Sequence, residues 1–252
     1  MHLYLAGTAC VAGVAVLAAA LAFAVRRLGA AEGRSENNEP LGQVFTIVGG
    51  LHAVLLAFVL ISLFDAASTA GEDSIREANA LVAVDWAGDS LPEPARSQIH
   101  ELTRRYMDTV IEQEWPRLRA AQPVDDTGRA QLDELRLAIE RAGTIDEWQH
   151  ERRLQAADRL LEIHQARQDR LDASSDGVGL VVWYALVAGS VLAMSLPYLF
   201  GGTRLATHVA MVAVLAATIT LLMFAIYQMQ NPYSGGASVE PDAFRSARYL
   251  LG

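Results

Sequence analysis

One apolar stretch of the sequence carries small, polar and bulky side chains at spacings that could line a membrane pathway. Residues 44–64 hold no formal charge, yet His52 lies in their middle, and an ionisable group inside lipid is a candidate for function. Gly49, Ala53 and Ala57 recur every four residues, which is typical of membrane helices that pack closely. Two interpretations of this face follow, a packing surface and a pathway.

The pathway interpretation needs a narrow place that excludes ions. Leu56, Val59 and Leu63 are bulky apolar residues toward one end of the stretch, and such constrictions gate channels by dewetting. For His52 the alternative is a hydrogen bond across a helix interface, because a neutral imidazole costs less in lipid than a charged group. The candidate pore-lining residues are Thr46, Gly49, His52, Ala53, Leu56, Val59 and Leu63.

Other polar groups have simpler interpretations. Asp65 and His208 stand at ends of apolar stretches, so solvated positions at the membrane interface are expected for both. An acidic cluster around Trp115 and Pro116 could hold a hard cation such as calcium, but its spacing matches no EF-hand loop. We therefore predict a solvated face and no metal site there. The cluster consists of Glu112, Glu114, Asp125 and Asp126.

The sequence lacks the motifs of common enzymes. It contains no GxSxG, no glycine-rich phosphate loop followed by lysine, no HExxH and no paired His and Cys ligands. Cys10 is the only cysteine, which excludes a disulfide framework, a zinc site and a thiol redox pair. The net charge of -9 disfavours nucleic acid as a partner. We expect no enzyme, no cofactor and no nucleic-acid partner.

The elements that position these residues are membrane spans. The chain is 52% hydrophobic with a mean hydropathy of +0.21, and four uncharged stretches exceed the roughly 20 residues that cross a bilayer as a helix. A cleaved signal peptide is the alternative for the first stretch, but Arg26 and Arg27 follow the apolar run instead of preceding it. The predicted spans are 3–25, 44–64, 178–200 and 205–227.

A separate aqueous domain is predicted between the second and third spans. Residues 72–176 hold 23 acidic residues and 14 arginines, a difference that equals the whole net charge. Apolar residues recur there at helical spacing, Pro92 and Pro94 break the pattern, and Thr144 with Glu147 forms a capping box. Gln113 lies on the same predicted helix face as Ile99, Leu102, Tyr106 and Val110. The residues predicted to face inward are Ile99, Leu102, Tyr106, Val110, Leu132, Leu135, Ile139, Trp148 and Leu161.

The predicted fold class is all-α, a four-span helical membrane protein with a helical bundle inserted between the second and third spans. Few helix breakers lie between residues 44 and 89 or between residue 144 and the third span, so both membrane helices are expected to continue into the aqueous domain. Turn signals at 231–236 follow the fourth span. The expected division is 1–65 with two spans, 66–177 aqueous, 178–230 with two spans, and a tail at 231–252.

Arginine positions leave the side of the aqueous domain unresolved. Four arginines in the short loops against two in the tail favour short loops inside the cell. Three more arginines lie in the aqueous domain next to its membrane ends. Counting them gives five arginines on the side of the aqueous domain and the tail, against four in the short loops. The four in the short loops are Arg26, Arg27, Arg34 and Arg204.

Five separated motifs resemble those of the bacterial bestrophin-like domain family, over a region from about residue 36 to the C terminus. They are ENNEPLGQVFTIVGGLHAVLLAFVL at 36–60, EANAL at 77–81, LPEP at 91–94, EWP at 114–116 and NPYSGG at 231–236. The resemblance implies kinship with bestrophins, which are pentameric anion channels with four membrane helices per subunit, a helical cytosolic region and a pore lined by the second helix. It would place the aqueous domain in the cytosol. The aromatic residues of the second span match no filter position of bestrophins residue by residue, so no filter residue is carried over.

The predicted function is therefore an oligomeric, bestrophin-like ion channel of the cell membrane. We expect several copies, five by the resemblance, to pass anions or other small ions through a pore lined by the second span, with the lipid bilayer as their surroundings. The alternative is a membrane-anchored sensory or scaffolding protein that binds a ligand or partner through its helical domain. Only about 25 residues follow the fourth span, which disfavours a receptor acting alone.

Overall fold

The computed structural model describes residues 2–27, 38–174, 177–200, 204–236 and 238–252. Arg34 of the loop-charge comparison, and Glu36 and Asn37 of the first motif, lie outside these ranges. Within them the chain forms helices and turns, and no strand. The α-helices are α1 (His2–Arg27), α2 (Asn38–Gly88), α3 (Ala95–Thr109), α4 (Trp115–Arg119), α5 (Thr127–Arg141), α6 (Glu147–Ala173), α7 (Leu180–Ser195), α8 (Leu205–Met229) and α9 (Asp242–Leu250). A π-helical turn (Val110–Glu114) joins α3 to α4, and a 3₁₀ turn (Leu196–Leu199) follows α7.

The all-α prediction is confirmed, and four helices are long and apolar enough to cross a membrane. They comprise Leu5–Arg27, Asn38–Gly88, Leu180–Leu199 and Leu205–Met229. The second has 51 residues, so the expected continuation of the second span beyond membrane length is confirmed.

Two compact units divide the chain. The membrane-helix unit consists of residues 1–63 and 178–230, and the bundle unit of residues 64–177 and 231–252. Small residues fill the contact between α1 and α8 in the membrane-helix unit, where Ala18, Ala22 and Ala216 are buried and a Cβ at Gly7 would meet Phe224 at 2.5 Å. Such residues let membrane helices approach closely.

The bundle unit has one apolar core to which the C-terminal segment contributes. Residues 231–252, expected to be a tail, belong to this unit, because α9 buries Phe244 and Ala247 and the residue after it, Leu251, is also buried. Seven of the nine residues predicted to face inward are buried. They are Ile99, Leu102, Tyr106, Val110, Leu132, Leu135 and Ile139.

The prediction that two residues of α6 face the core is wrong. Trp148 is 55% exposed and Leu161 is 62% exposed, because the inward face of this helix runs through Ala156, Leu160 and Ile163. Leu161 follows Leu160 directly, which rotates it by about 100° around an α-helix of 3.6 residues per turn. The side chain of Trp148 instead lies beside Arg152, whose guanidinium is 5.3 Å from the ring centre.

The predicted start of α6 and its expected continuation into the third span are also wrong. The N-cap is Asp146, whose carboxylate accepts from Gln149 N at 2.8 Å while Ile145 N donates to Gln149 Oε1 at 2.9 Å, so the capping pair lies two residues beyond Thr144 and Glu147. At its other end α6 stops at Ala173. Residues 177–179, which include two glycines, are not helical before α7 begins at Leu180.

Candidate functional site

The seven candidate residues on α2 divide between buried and open faces of the helix. His52, Leu56 and Leu63 are buried, and the two leucines cluster with Leu186 of α7 and Ile226 of α8. Val59 is half-buried against the same cluster. These side chains therefore pack within one copy of the chain.

His52 makes the helix-interface hydrogen bond that the sequence left as one alternative. Its Nε2 lies 3.0 Å from Ser190 Oγ, and the Ser190 hydroxyl donates to Leu186 O at 2.7 Å. Since that hydroxyl has one proton, its oxygen accepts from His52 Nε2–H. His52 Nδ1 is buried with no hydrogen-bond partner in the described chain, and a Cβ at Gly189 would lie 2.5 Å from it. A glycine at position 189 thus makes room for the imidazole.

The other candidates lie on faces of α2 that no described helix of the same copy covers. Thr46 and Ala53 are exposed, and a Cβ added at the half-buried Gly49 would meet nothing within 4 Å. The small-residue face therefore does not serve packing inside one copy. Beside it runs a stripe of exposed bulky residues, Val54, Phe58 and Ile61.

A buried ionic network, which the sequence analysis missed, lies in the bundle unit. Arg170 of α6 donates from Nε to Glu77 Oε2 at 2.7 Å and from one terminal nitrogen to Glu114 Oε2 at 2.6 Å. Arg167 donates to Glu114 Oε1 at 2.7 Å. Arg170 and Glu77 are fully buried, and Glu114 is nearly so. The formal charges cancel, which such burial requires.

Aromatic side chains enclose this network. The rings of Trp115 and Phe244 have their centres 5.7 and 5.6 Å from the Arg170 guanidinium, a distance at which a cation interacts with an aromatic face. The Tyr106 hydroxyl donates to Glu77, and the Tyr233 hydroxyl donates to Arg170 O at 2.9 Å. Arg170 of α6 therefore contacts α2, the π-helical turn, α4 and the C-terminal segment.

The shifted pKa values of the network keep Glu114 and Arg170 charged and Tyr106 neutral. Burial raises the pKa of Glu114, but the guanidinium groups of Arg170 and Arg167 outweigh it and hold the pKa below its usual value. Burial lowers the pKa of Arg170, yet Glu77 and Glu114 raise it well above its usual value. Burial and the neighbouring Glu77 charge raise the pKa of Tyr106, so its hydroxyl stays a neutral donor.

Glu114 corrects the prediction of a solvated acidic cluster. Glu112, Asp125 and Asp126 are exposed as expected, whereas the π-helical turn from Val110 carries Glu114 inward. The wider turn shifts the register by one residue, so Gln113, predicted on the inner stripe, is exposed instead. Across the described ranges no group of three or more His, Cys, Asp or Glu side chains is arranged to hold a metal ion.

The polar ends of the membrane helices behave differently from each other. Asp65 is exposed, as expected for the end of a span. His208, expected to be solvated, is only 4% exposed, because it lies against Tyr198 with 6.3 Å between the ring centres.

The family model of the bestrophin-like domain matches residues 12–244 of the chain. The chain belongs to the bestrophin-like family. Its fold is similar to crystal structures of a bacterial bestrophin homologue from Klebsiella pneumoniae. A leucine-to-threonine variant of that homologue aligns with a TM-score of 0.70 and 12% identity over 94% of this chain and 97% of the other. A tyrosine-to-alanine variant aligns with a TM-score of 0.70 and 13% identity over 96% of each chain.

A further crystal structure, of a membrane protein with one proline replaced by alanine, aligns with a TM-score of 0.68 and 13% identity over 94% of this chain and 97% of the other. At this identity the likeness concerns the fold. Comparison with curated proteins gives no significant match.

In this bestrophin-like protein, three of the five motifs converge on Arg170. EANAL supplies Glu77, EWP supplies Glu114 and Trp115, and NPYSGG supplies Tyr233. The motifs are far apart in the sequence, and their shared partner is an arginine on α6 outside all of them. One sequence feature could have indicated this buried network. Each of these three motifs contains a carboxylate or an aromatic hydroxyl beside apolar residues.

Proposed function

We propose that this bestrophin-like protein is an oligomeric ion channel of the cell membrane that passes anions or other small ions through a pore lined by α2. The observation that carries the proposal is the open face of α2, where the uncharged stretch 44–64, itself of membrane length, presents small and bulky apolar residues that its own copy does not cover. Family membership supports it. A channel needs no catalytic group.

The open face changes which residues we propose for the pore. Thr46, Gly49 and Ala53 remain pore-lining candidates, with His52, Leu56, Val59 and Leu63 behind them, holding α2 against α7 and α8. A constriction on this face would come from the exposed stripe of Val54, Phe58 and Ile61, which follow each other at helical spacing. Rings of such side chains exclude water from a narrow pore.

A multi-pass topology is supported by the composition of the bundle unit. Residues 64–177 follow the second candidate span and residues 231–252 follow the fourth, yet both segments form one compact unit. Two crossings between these segments return the chain to the same side of the membrane. We therefore propose four crossings, with the whole bundle unit on one side.

Assembly of several copies is supported by exposed apolar side chains in the bundle unit. Exposed apolar surface is a common feature of interaction sites, and contacts between copies would cover it. We propose a closed ring, of five copies by analogy with bestrophins, as the arrangement that surrounds a pore. The exposed residues are Ile75, Trp86, Ile145, Trp148, Leu154 and Leu161.

The direct test is conduction by the purified protein in planar bilayers. We expect current above the protein-free baseline, and a reversal potential in a potassium chloride gradient that reports whether anions or cations pass. Light scattering of the same sample should give a mass of several copies. Absence of current in all salts tested, together with a monomer or a sealed dimer, would favour the scaffolding alternative.

Serine variants test which face of α2 lines the pore. Val54→Ser and Ile61→Ser should raise the current, because a polar side chain lets water persist in a dewetted constriction. The matched control is Val214→Ser, which changes an exposed valine on α8. If the control raises the current as much as the α2 variants, the pore is not lined by this face.

A further inference from the structure

The membrane-helix unit contains a cavity that the channel proposal does not use. It measures about 320 Å³ and lies between the first three turns of α2 and α8 and the 3₁₀ turn that follows α7. This volume is at the lower end of the roughly 300–1,000 Å³ typical of ligand sites. Pro197 and Phe200 close one side, and Phe45 meets Phe200 edge to face with ring centres 6.3 Å apart.

The polarity of the cavity lining changes along the two helices. On α2 the lining runs from Asn38 to Phe45, and on α8 it runs from His208 through Met211 to Leu215. Seven residues of helix correspond to about 10 Å at 1.5 Å per residue. The lining is therefore polar near the helix starts and apolar about two turns further along, which matches a molecule with a polar head and a hydrocarbon tail.

The polar end of the lining favours an anion. His208 is 96% covered, given its 4% exposure, and its ring nitrogens make no hydrogen bond to any described residue, although the ring lines the cavity. Arg26 donates to Phe200 O at 3.3 Å, so its guanidinium lies at the cavity edge, and Arg204 is the exposed N-cap of α8. No carboxylate lines the cavity among the described residues, and the nearby Glu39 is exposed.

We propose that this cavity binds an anionic phospholipid, with the phosphate beside His208 and Arg204 and one acyl chain along Phe45, Met211 and Leu215. The charged end matches the basic side chains, since guanidinium and imidazole groups donate strong hydrogen bonds to phosphate oxygens. The tail explains the apolar interior, which a free phosphate ion would leave unoccupied. The occupant is a lipid because the cavity lies between helices that are long and apolar enough to cross a membrane.

The test counts lipid retained by the full-length protein. Protein purified in neutral detergent is mixed with phosphatidylglycerol or phosphatidylcholine, and native mass spectrometry measures the bound lipid. We expect retention of phosphatidylglycerol only. His208→Ala should weaken it about tenfold, as for loss of a hydrogen bond to a charged group, and Arg204→Gln should weaken it less because this residue is exposed. Met211→Trp should abolish retention by filling the cavity.

Matched controls separate the site from general effects. Val214→Trp adds the same bulk on an exposed face of α8, and Arg129→Gln removes an exposed charge from the bundle unit, so both should retain lipid like the parent. Equal retention of both lipids would overturn the proposal, as would full competition by tailless glycerol phosphate. If Met211→Trp does not fold, unchanged retention in both His208→Ala and Arg204→Gln would overturn it. Lipid retention is independent of current, so this result and the conduction test fail separately.

Discussion

The two compact units of this bestrophin-like protein are held together in different ways. The bundle unit packs large apolar side chains into one core around the fully buried Arg170. In the described part of the membrane-helix unit, buried apolar residues form two small clusters while many large apolar side chains stay exposed. The bundle unit completes its core within one chain, whereas the membrane-helix unit leaves much of its apolar surface uncovered.

The two units also differ in how their buried polar groups are paired. The bundle unit buries oppositely charged groups in contact with each other, as with Arg170 and Glu77. The membrane-helix unit buries His52 on a single neutral hydrogen bond to Ser190. Charge is costly in lipid unless paired, and an unpaired charge in a protein core is costly as well. The comparison teaches that ionic pairing specifies the bundle unit and steric fit specifies the membrane helices.

The largest expected effect is that of Arg170→Met. The change leaves Glu77 and Glu114 buried without their main partner, which should destabilise the protein by about 3–5 kcal/mol. Denaturant unfolding in detergent, followed by circular dichroism, measures this. Arg136→Met is the control, because Arg136 pairs with Glu140 on the surface and such pairs contribute about 1 kcal/mol or less. Similar losses in the two variants would refute a special role for the network.

A slightly smaller effect is expected from removing apolar volume in the bundle core. Leu102→Ala should cost about 2–5 kcal/mol, because Leu102 is buried and the change opens a cavity. Leu161→Ala changes the same residue type at an exposed site and should shift the unfolding midpoint little. A large loss for Leu161→Ala in the intact oligomer, but not in dissociated copies, would place Leu161 in a contact between copies.

Steric fit in the membrane helices is tested at two glycines. Gly189→Ala places a methyl group 2.5 Å from His52 Nδ1 and should cost about 1–3 kcal/mol through overpacking. Gly49→Ala meets nothing within 4 Å in one copy, so it should leave the thermal stability of a single copy unchanged. Size-exclusion chromatography then shows whether Gly49→Ala weakens assembly. Equal stability of the two variants would contradict the close fit of Gly189 to His52.

The smallest effect concerns pH. The pKa of Glu114 is held below its usual value of 4.5, so its ionic contribution to stability is present above about pH 4.5 and is lost as pH falls through the lowered pKa. The difference in unfolding temperature between the parent and Glu114→Gln should therefore be largest near neutral pH and shrink below pH 4.5. The exposed Glu112→Gln serves as the comparison. A difference that stays constant down to pH 3 would show that Glu114 contributes through packing alone.

Local patterns predicted much of this fold correctly. Uninterrupted apolar stretches predicted the four helices that are long and apolar enough to cross a membrane, and Leu102, Tyr106 and Leu132 were found in the core because helical periodicity places such residues on one face. Errors arose where backbone geometry departs from a regular α-helix. The π-helical turn moved Glu114 inward, and the non-helical residues 177–179 separated α6 from α7.

The candidate sites were harder to predict, because burial of one face depends on which helices meet. The sequence offered His52, Leu56 and Ala53 on one apolar helix without showing that α7 and α8 cover the first two and leave the third open. Thr46 and Gly49 keep their pore-lining role as a prediction. The sequence also gave no sign that Arg170, one of many arginines on α6, is the one that is fully buried.

By itself, the sequence determined the class of protein, because hydrophobic length and helical periodicity are local properties that any short window displays. Family motifs such as EWP and NPYSGG were also visible in it. Only the tertiary structure decided that these motifs meet at Arg170, that His52 is paired with Ser190, and that His208 lines a cavity. The reason is physical: pairing of charges and closure of cavities depend on contacts between residues far apart in the chain, which helical spacing does not encode.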